Sequence, residues 1–344
     1  MEKKYEDLLN WWLSLDKLSE EETTIINIHN REDPDLENND NYNELQDIFF
    51  KELLLFSNIS SLTYKIELQP TASEIIEKLF ETYVDDETLV ICSRNEHETP
   101  AKCSKKCKNV CIIDTENFDI NLYINEIKQY KKAFVYIIGT EISAGRITPQ
   151  IVFDKLKEAF DSLDIKSTIV CDDVHGMFMT PRDYRIFDYV IGTAHTLNKN
   201  FNMGFVVSKI DNPEFGFKAS NWLGHYIKML RVILKRRDKM IMFYKVLATV
   251  FEKYLIRKEF ELIPYVTQNI YSMYMDKIPI TKEKWQELED LFIRIEGFDD
   301  DNCPRYMVRI RSQQFITHPE YLFKGMNKLL KILDSAVYCW DNLH

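Results

Sequence analysis

The stretch that decides the fold is Ile169-Val170-Cys171-Asp172-Asp173-Val174-His175-Gly176, followed by Asp188-Tyr189-Val190-Ile191-Gly192-Thr193-Ala194-His195-Thr196-Leu197-Asn198-Lys199 and, five residues on, Gly204-Phe205-Val206-Val207-Ser208. An apolar run ends on two carboxylates and a histidine, and a second apolar run leads to a lysine. If both runs are strands of one parallel sheet, Asp172, His175 and Lys199 emerge at the same edge of it. A carboxylate, an imidazole and an amine gathered there suit chemistry on a carbonyl-bearing cofactor.

Working outward, the chain before this stretch alternates strand and helix patterns. Strands are predicted at 62–68, 88–92, 109–113, 133–138, 167–171, 187–191 and 205–208, with helices opening at about 74 and covering 119–130 and 150–161. Strands separated by helical segments predict an α/β domain with a largely parallel sheet flanked by helices. Residues 219–256 are helical and rich in Leu, Ile, Met, Lys and Arg. Short strands at 261–266, 269–274 and 305–310 and helices at 281–294 and 317–336 then predict a smaller α+β domain. At the start, 5–18 and 45–56 carry helical periodicity around an acidic, asparagine-rich loop at 30–44. The expected organisation is an N-terminal helical arm (1–58), a large α/β domain (59–215), and a linking helix with the small domain (216–344).

Composition narrows the function classes. The chain has 344 residues, 45% hydrophobic and 29% charged, with a net charge of −11, so a general nucleic-acid or anionic-membrane binder is disfavoured. The basic cluster Arg231, Lys235, Arg236, Arg237 and Lys239 reads as a solvated helix face. There is no run of 18 apolar residues and no signal-peptide core, which implies a cytoplasmic protein with no membrane span. Seven cysteines lack zinc-site spacing beyond Cys103 and Cys107, so free thiols and no metal are expected. Of nine glycines, five (139, 145, 176, 192 and 204) fall between 139 and 204, marking that segment as the site region.

Several groups fall at predicted strand ends. Thr71-Ala72-Ser73 opens a helix after a strand, where backbone N–H groups suit a phosphate; an ordinary N-cap explains the same residues. His97 follows the strand at 88–92 and reads either as a stacking or acid/base group or as a surface loop histidine. Gly139 to Pro149 suits a binding loop or a turn. Asp172, ending an apolar strand, needs partners. Lys199 lies among Leu197, Phe201, Met203 and Phe205, and burial makes an amine nucleophilic.

The ordered set resembles the fold type I pyridoxal-phosphate (PLP) enzymes, the aminotransferase superfamily, over residues 60–210 and more loosely beyond. Asn95-Glu96-His97 and Glu141…Gly145-Arg146-Ile147-Thr148-Pro149 are similar to the class V, cysteine-desulfurase-like branch. Thr196-Leu197-Asn198-Lys199 is more similar to the Ser-x-Ser-Lys motif of other aminotransferases.

By that resemblance Lys199 is the Schiff-base lysine, Asp172 pairs with the pyridine nitrogen, and His175 bonds the ring's phenolic oxygen. Val174 packs under the ring, and His97 stacks on its other face. Thr71, Ala72 and Ser73, with His195 or Thr196, hold the phosphate. Arg309, with Arg311 second, clamps the substrate carboxylate; the alternative is a pair of solvated edge-strand charges. The resemblance also implies a homodimer and an amino acid or keto acid substrate.

The pattern departs from the family where a phosphate-binding arginine is expected after the lysine and Phe205-Val206-Val207-Ser208 stands instead. Cys303 is the loop cysteine a desulfurase would need, or a loop cysteine without a role. The expected activity is an aminotransferase; alternatives are a lyase, desulfurase or decarboxylase of the same fold, or a degenerate non-catalytic member.

Overall fold

The computed structural model of the chain describes residues 7, 19–27, 39–53, 59–60, 62–69, 71–93, 98–141, 145–177, 181–193, 203–216, 223–235, 238, 241–242, 244–246, 248–249, 260–262, 271–276, 281–291, 293–296, 305–310, 321 and 324–332. Contacts divide the chain into two units: residues 25–141 with 147–233, and residues 1–24, 142–146 and 234–344.

The first unit is built on a seven-stranded sheet. Its strands are β1 (Tyr64–Gln69), β2 (Leu89–Ser93), β3 (Asn109–Ile113), β4 (Lys132–Ile138), β5 (Lys166–Asp172), β6 (Tyr189–Thr193) and β7 (Gly204–Lys209), in the order β1-β7-β6-β5-β4-β2-β3. Neighbours from β3 to β6 pair in parallel, and β7 runs antiparallel to both β6 and β1. Six strands therefore end at one edge, and β7 begins there. β4 from Ala133 and β5 over Ile169–Cys171 are apolar on both faces, as strand segments covered on both sides must be.

On one face lies helix α3 (Ala72–Tyr83). Its Ile75, Ile76, Leu79 and Phe80, spaced to share one stripe, pack with Phe134, Tyr136, Val170, Tyr189 and Val206 into the main core. Phe80 meets Phe134 edge to face at 4.9 Å. Each such buried side chain contributes about 1.5–3 kcal/mol. On the other face, α6 (Gln150–Ser162) sets Phe153 against Phe187 at 4.8 Å. The open edge of β1 is covered by α2 (Asn39–Leu53): the Gln46 amide donates to the Ile66 carbonyl, and Phe49 lies 4.4 Å from Phe205.

Three expected boundaries move. The stretch expected as a loop at 30–44 is helical from Asn39, because Asn and Asp serve helix starts as well as turns. The helix expected over 119–130 is a 3-10 turn, Ile120–Leu122, followed by the single turn α5, Ile124–Ile127. The helix expected over 281–294 ends at Glu289 as α8 (Lys282–Glu289), and Ile293–Glu296 forms a strand, β10.

The second unit carries a four-stranded antiparallel sheet, β10-β11-β9-β8, with β8 at Phe260–Leu262, β9 at Tyr271–Asp276 and β11 at Arg305–Ile310. One face is apolar: Met273, Met275, Ile293, Ile295, Val308 and Ile310 are all buried. Trp285 on α8 donates its indole N–H to the Ile295 carbonyl at 2.8 Å.

Candidate active site

The edge where the strands end gathers the candidate groups. Asp172 is the last residue of β5, paired in register with Ile138 on β4 and Ile191 on β6. It shares a face with Val170 and therefore points to the side that α3 covers. Asp172 is 7% exposed. The Tyr136 hydroxyl donates to Oδ2, and the Val174 backbone N–H donates to Oδ1 at 3.2 Å. Both contacts use the carboxylate as an acceptor and fix its orientation.

Asp173, one residue on, belongs to the opposite side and is fully buried. It receives the Thr140 hydroxyl at 3.2 Å and the Tyr184 hydroxyl at 3.0 Å, and Arg182 Nε lies 3.6 Å from Oδ2. Arg182 also donates to the carbonyls of Thr148 and Gly139, each at 2.9 Å. Burial works against the guanidinium's charge, and Asp173, Cys171 and Tyr184 together outweigh it, so the Arg182 pKa is raised. Burial, reinforced by Asp173, pushes the Tyr184 phenol well up. The Cys171 thiol is also raised well above its ordinary value by burial, so it stays protonated near neutral pH. Gly176 belongs to this network: a Cβ there would fall 2.2 Å from Thr140 Oγ1 and 2.4 Å from Asp173 Oδ1.

Helix α3 opens at the same edge, directly after β1. The Thr71 hydroxyl accepts from the Glu74 N–H at 3.2 Å and is thus the N-cap, while the Ser73 hydroxyl shares a hydrogen bond with Thr99 at 3.1 Å. What the helix start offers a ligand is therefore the backbone N–H groups of Ala72 and Ser73, which have no acceptor within the helix. Gly204, the first residue of β7, packs against this turn, where a Cβ would stand 2.6 Å from the Ala72 nitrogen.

Lys199, His195 and Thr196 lie outside the described residues, as do His97, Arg311 and Cys303. The residues that bracket the lysine are described: Thr193 ends β6 and is paired with Gly204 at the site edge. Val174 is half-buried against the main core, and His175 is half-buried. Arg309, on β11, is 3% exposed and lies opposite Ser272 and Arg294 in the interior of the second sheet. The reading of Arg309 as a solvated edge-strand charge is thus overturned, because β11 has a strand on either side.

Sequence reasoning passed over Tyr136, Arg182, Thr140 and Tyr184. A tyrosine in the middle of an apolar strand is itself a signal, since its buried hydroxyl must find a partner. Arg182 carries no comparable pattern.

The donor chemistry of this edge fits pyridoxal phosphate. A buried, oriented carboxylate suits a protonated pyridine nitrogen, and a helix start suits a phosphate. No family model and no curated protein sequence matches the chain. Solved structures do match its fold. A NifS-like protein from Rickettsia africae superposes with a TM-score of 0.65 at 12% identity, over 85% of this chain and 89% of that one. Ureidoglycine-glyoxylate aminotransferase from Bacillus subtilis gives 0.63 at 12% identity, over 92% and 91%. A protein designated SPT, solved with a PLP internal aldimine, gives 0.60 at 11% identity, over 96% and 85%. The chain has the fold of the fold type I PLP enzymes.

Proposed function

We propose that the chain is a PLP-dependent enzyme acting on an amino acid, most simply an aminotransferase, with Lys199 as the residue that carries the cofactor. The observation that carries this reading is Asp172: a buried carboxylate at the end of β5, held by Tyr136 and Val174 on the face and edge where α3 begins. Bound there, PLP supplies an electron sink for charge developing at the substrate's α-carbon. Asp172 holds the proton on the pyridine nitrogen, which that sink requires. The Ala72 and Ser73 N–H groups, with the dipole of α3, hold the phosphate, joined by His195 or Thr196. Val174 and His97 are assigned to the two faces of the ring and His175 to its phenolic oxygen. The Lys199 amine moves the proton at the α-carbon. Arg309 and Arg311 are assigned to the substrate carboxylate, and a homodimer is part of the same proposal. NifS-like proteins stand beside aminotransferases among the matching folds, which supports the lyase or desulfurase chemistry as a second reading.

The test is spectral. Purified protein supplied with PLP is expected to absorb at about 420 nm, and Lys199→Ala is expected to lose that band. Asp172→Asn is expected to retain PLP but to cut turnover by at least about 100-fold. A protein that takes up no PLP sinks the proposal. Keto acid release with the amine retained on the cofactor marks transamination; release of sulfide, carbon dioxide or an elimination product marks the second reading.

A further inference from the structure

The two ends of the first sheet are finished differently. The edge of β1 is covered by α2, whereas β3 is the last strand at the other end, and among the described residues nothing bonds to its outer backbone. An uncovered edge presents N–H and C=O groups that another strand can pair with, and proteins usually blunt it with a charge, a proline or a bulge. β3 reads Asn109-Val110-Cys111-Ile112-Ile113, in unbroken register with β2, and carries none of these. Two exposed large apolar side chains, Ile112 at 60% and Leu122 at 71%, belong to this strand and to the 3-10 turn that follows it.

The charges fall just outside the strand and are sorted by sign. Lys105, Lys106 and Lys108 precede it, and Asp114, Glu116 and Asp119 follow it. The three lysines are exposed, and among the described residues no ion pair holds them. Asp86 and Glu87 stand one strand inward, before β2, where the Asp86 carbonyl accepts from the Asn109 amide at 2.9 Å. Asp114 Oδ1 accepts the Glu116 N–H at 2.9 Å and the Asn117 N–H at 3.3 Å, and a carboxylate has further acceptor sites for a cation. A strand that is basic before and acidic after is complementary to its own reverse. Turned antiparallel about Cys111, a second copy sets Val110 opposite Ile112 and Lys108 opposite Asp114, and each pair occurs twice by symmetry.

We propose that β3 pairs with β3 of a second copy of this chain, antiparallel about a twofold axis at Cys111, joining two seven-stranded sheets into one. Backbone hydrogen bonds supply the pairing, and Val110 with Ile112 supplies the apolar contact. Lys108 with Asp114 sets the direction, because a parallel pairing places lysine against lysine and acid against acid. The proposal goes beyond the reading above and does not depend on PLP. β2 and β4 stand between β3 and β5, so this surface is not the Asp172 edge.

The test is sedimentation velocity of the full-length protein at low salt, over loadings up to about 100 μM. At equal loading the parent is expected to reach twice the mass of Ile112→Asp, which puts a charge into the paired edge. Lys108→Glu turns each attraction into a repulsion and is expected to weaken the association at least about tenfold. Adding Asp114→Lys to Lys108→Glu rebuilds the charge pairs in reverse and is expected to restore the parent's mass. Ile112 and Lys108 are exposed, so the unfolding midpoints of the single variants are expected to match the parent's. If Ile112→Asp does not fold, the charge exchange decides alone. A parent with the mass of the single variants overturns the proposal, and so does a double exchange that stays as weak as Lys108→Glu. A strand of an unrelated protein as the occupant of this edge, or a dimer formed through another surface, gives the first of those results.

Discussion

Replacing Arg182 with methionine tests how the site edge is held. Arg182 is 6% exposed, and among the described residues its guanidinium faces three acceptors: Asp173 at 3.6 Å, and the Thr148 and Gly139 carbonyls at 2.9 Å each. Methionine keeps much of the volume and removes the charge and every donor. Asp173 remains fully buried with, among the described residues, the Thr140 and Tyr184 hydroxyls left on it. Removing one partner of a buried ion pair costs about 3–5 kcal/mol, and the two surviving donors place this case near the lower end. A loss of about 3 kcal/mol is a large part of a domain's typical total of about 5–15 kcal/mol. Urea unfolding followed by circular dichroism should show it as a midpoint lowered by about 1–3 M, for slopes of about 1–3 kcal/mol/M. The double variant Asp173→Asn, Arg182→Met should recover at least about 1 kcal/mol against the sum of the single losses, because the uncompensated charge is gone. A midpoint that moves by less than about 0.3 M, or strictly additive losses, would refute the reasoning.

Tyr136→Phe removes the hydroxyl on Asp172 while keeping the ring in the core; a bond to a charged acceptor predicts a loss of about 1.5–3 kcal/mol, and an unchanged unfolding midpoint would discount it. Glu67 is 7% exposed and accepts from the Phe215 N–H at 2.8 Å; burial raises its pKa, partly offset by that bond and by Lys65. A raised carboxyl favours the folded state while protonated, and the advantage fades as pH rises through its folded-state pKa. Glu67→Gln keeps an acceptor without the charge, so it should gain stability relative to the parent between about pH 4 and pH 7. A gap that stays constant in paired denaturation curves over that range counts against this reading.

The first sheet was legible because each strand carries its own signal. Ala133–Ile138 and Ile169–Cys171 are continuous apolar runs bounded by polar residues, so the existence and order of their strands followed from the sequence. What failed was punctuation. Asn39 and Asp40 read as loop residues but begin a helix, and Ile293-Arg294-Ile295-Glu296 is too short an alternation to separate from the preceding helix. Register was not legible at all. Nothing in the order of residues says that Arg309 faces Ser272, or that Tyr136 lies within reach of Asp172 from the neighbouring strand.

The pair Asp172-Asp173 shows the same limit at the site. The sequence presents two adjacent carboxylates and ranks Asp172 first only by the end of an apolar run and its spacing to His175. The end of β5 separates them, because successive side chains leave a strand on opposite sides. Asp172 goes to the face of α3, held by a tyrosine and one backbone N–H. Asp173 goes to the other face and is consumed by Arg182, Thr140 and Tyr184. Five glycines between 139 and 204 had suggested room for a ligand. Gly176 makes room for the Asp173 network, and Gly204 lets β7 start against α3. Their service to the site is indirect: they fix the backbone from which Asp172 and the helix start face the same space. The residues that only hold that backbone, Arg182 foremost, have to be found by geometry, since their chemistry matches no ligand pattern and their partners are backbone carbonyls far away in sequence.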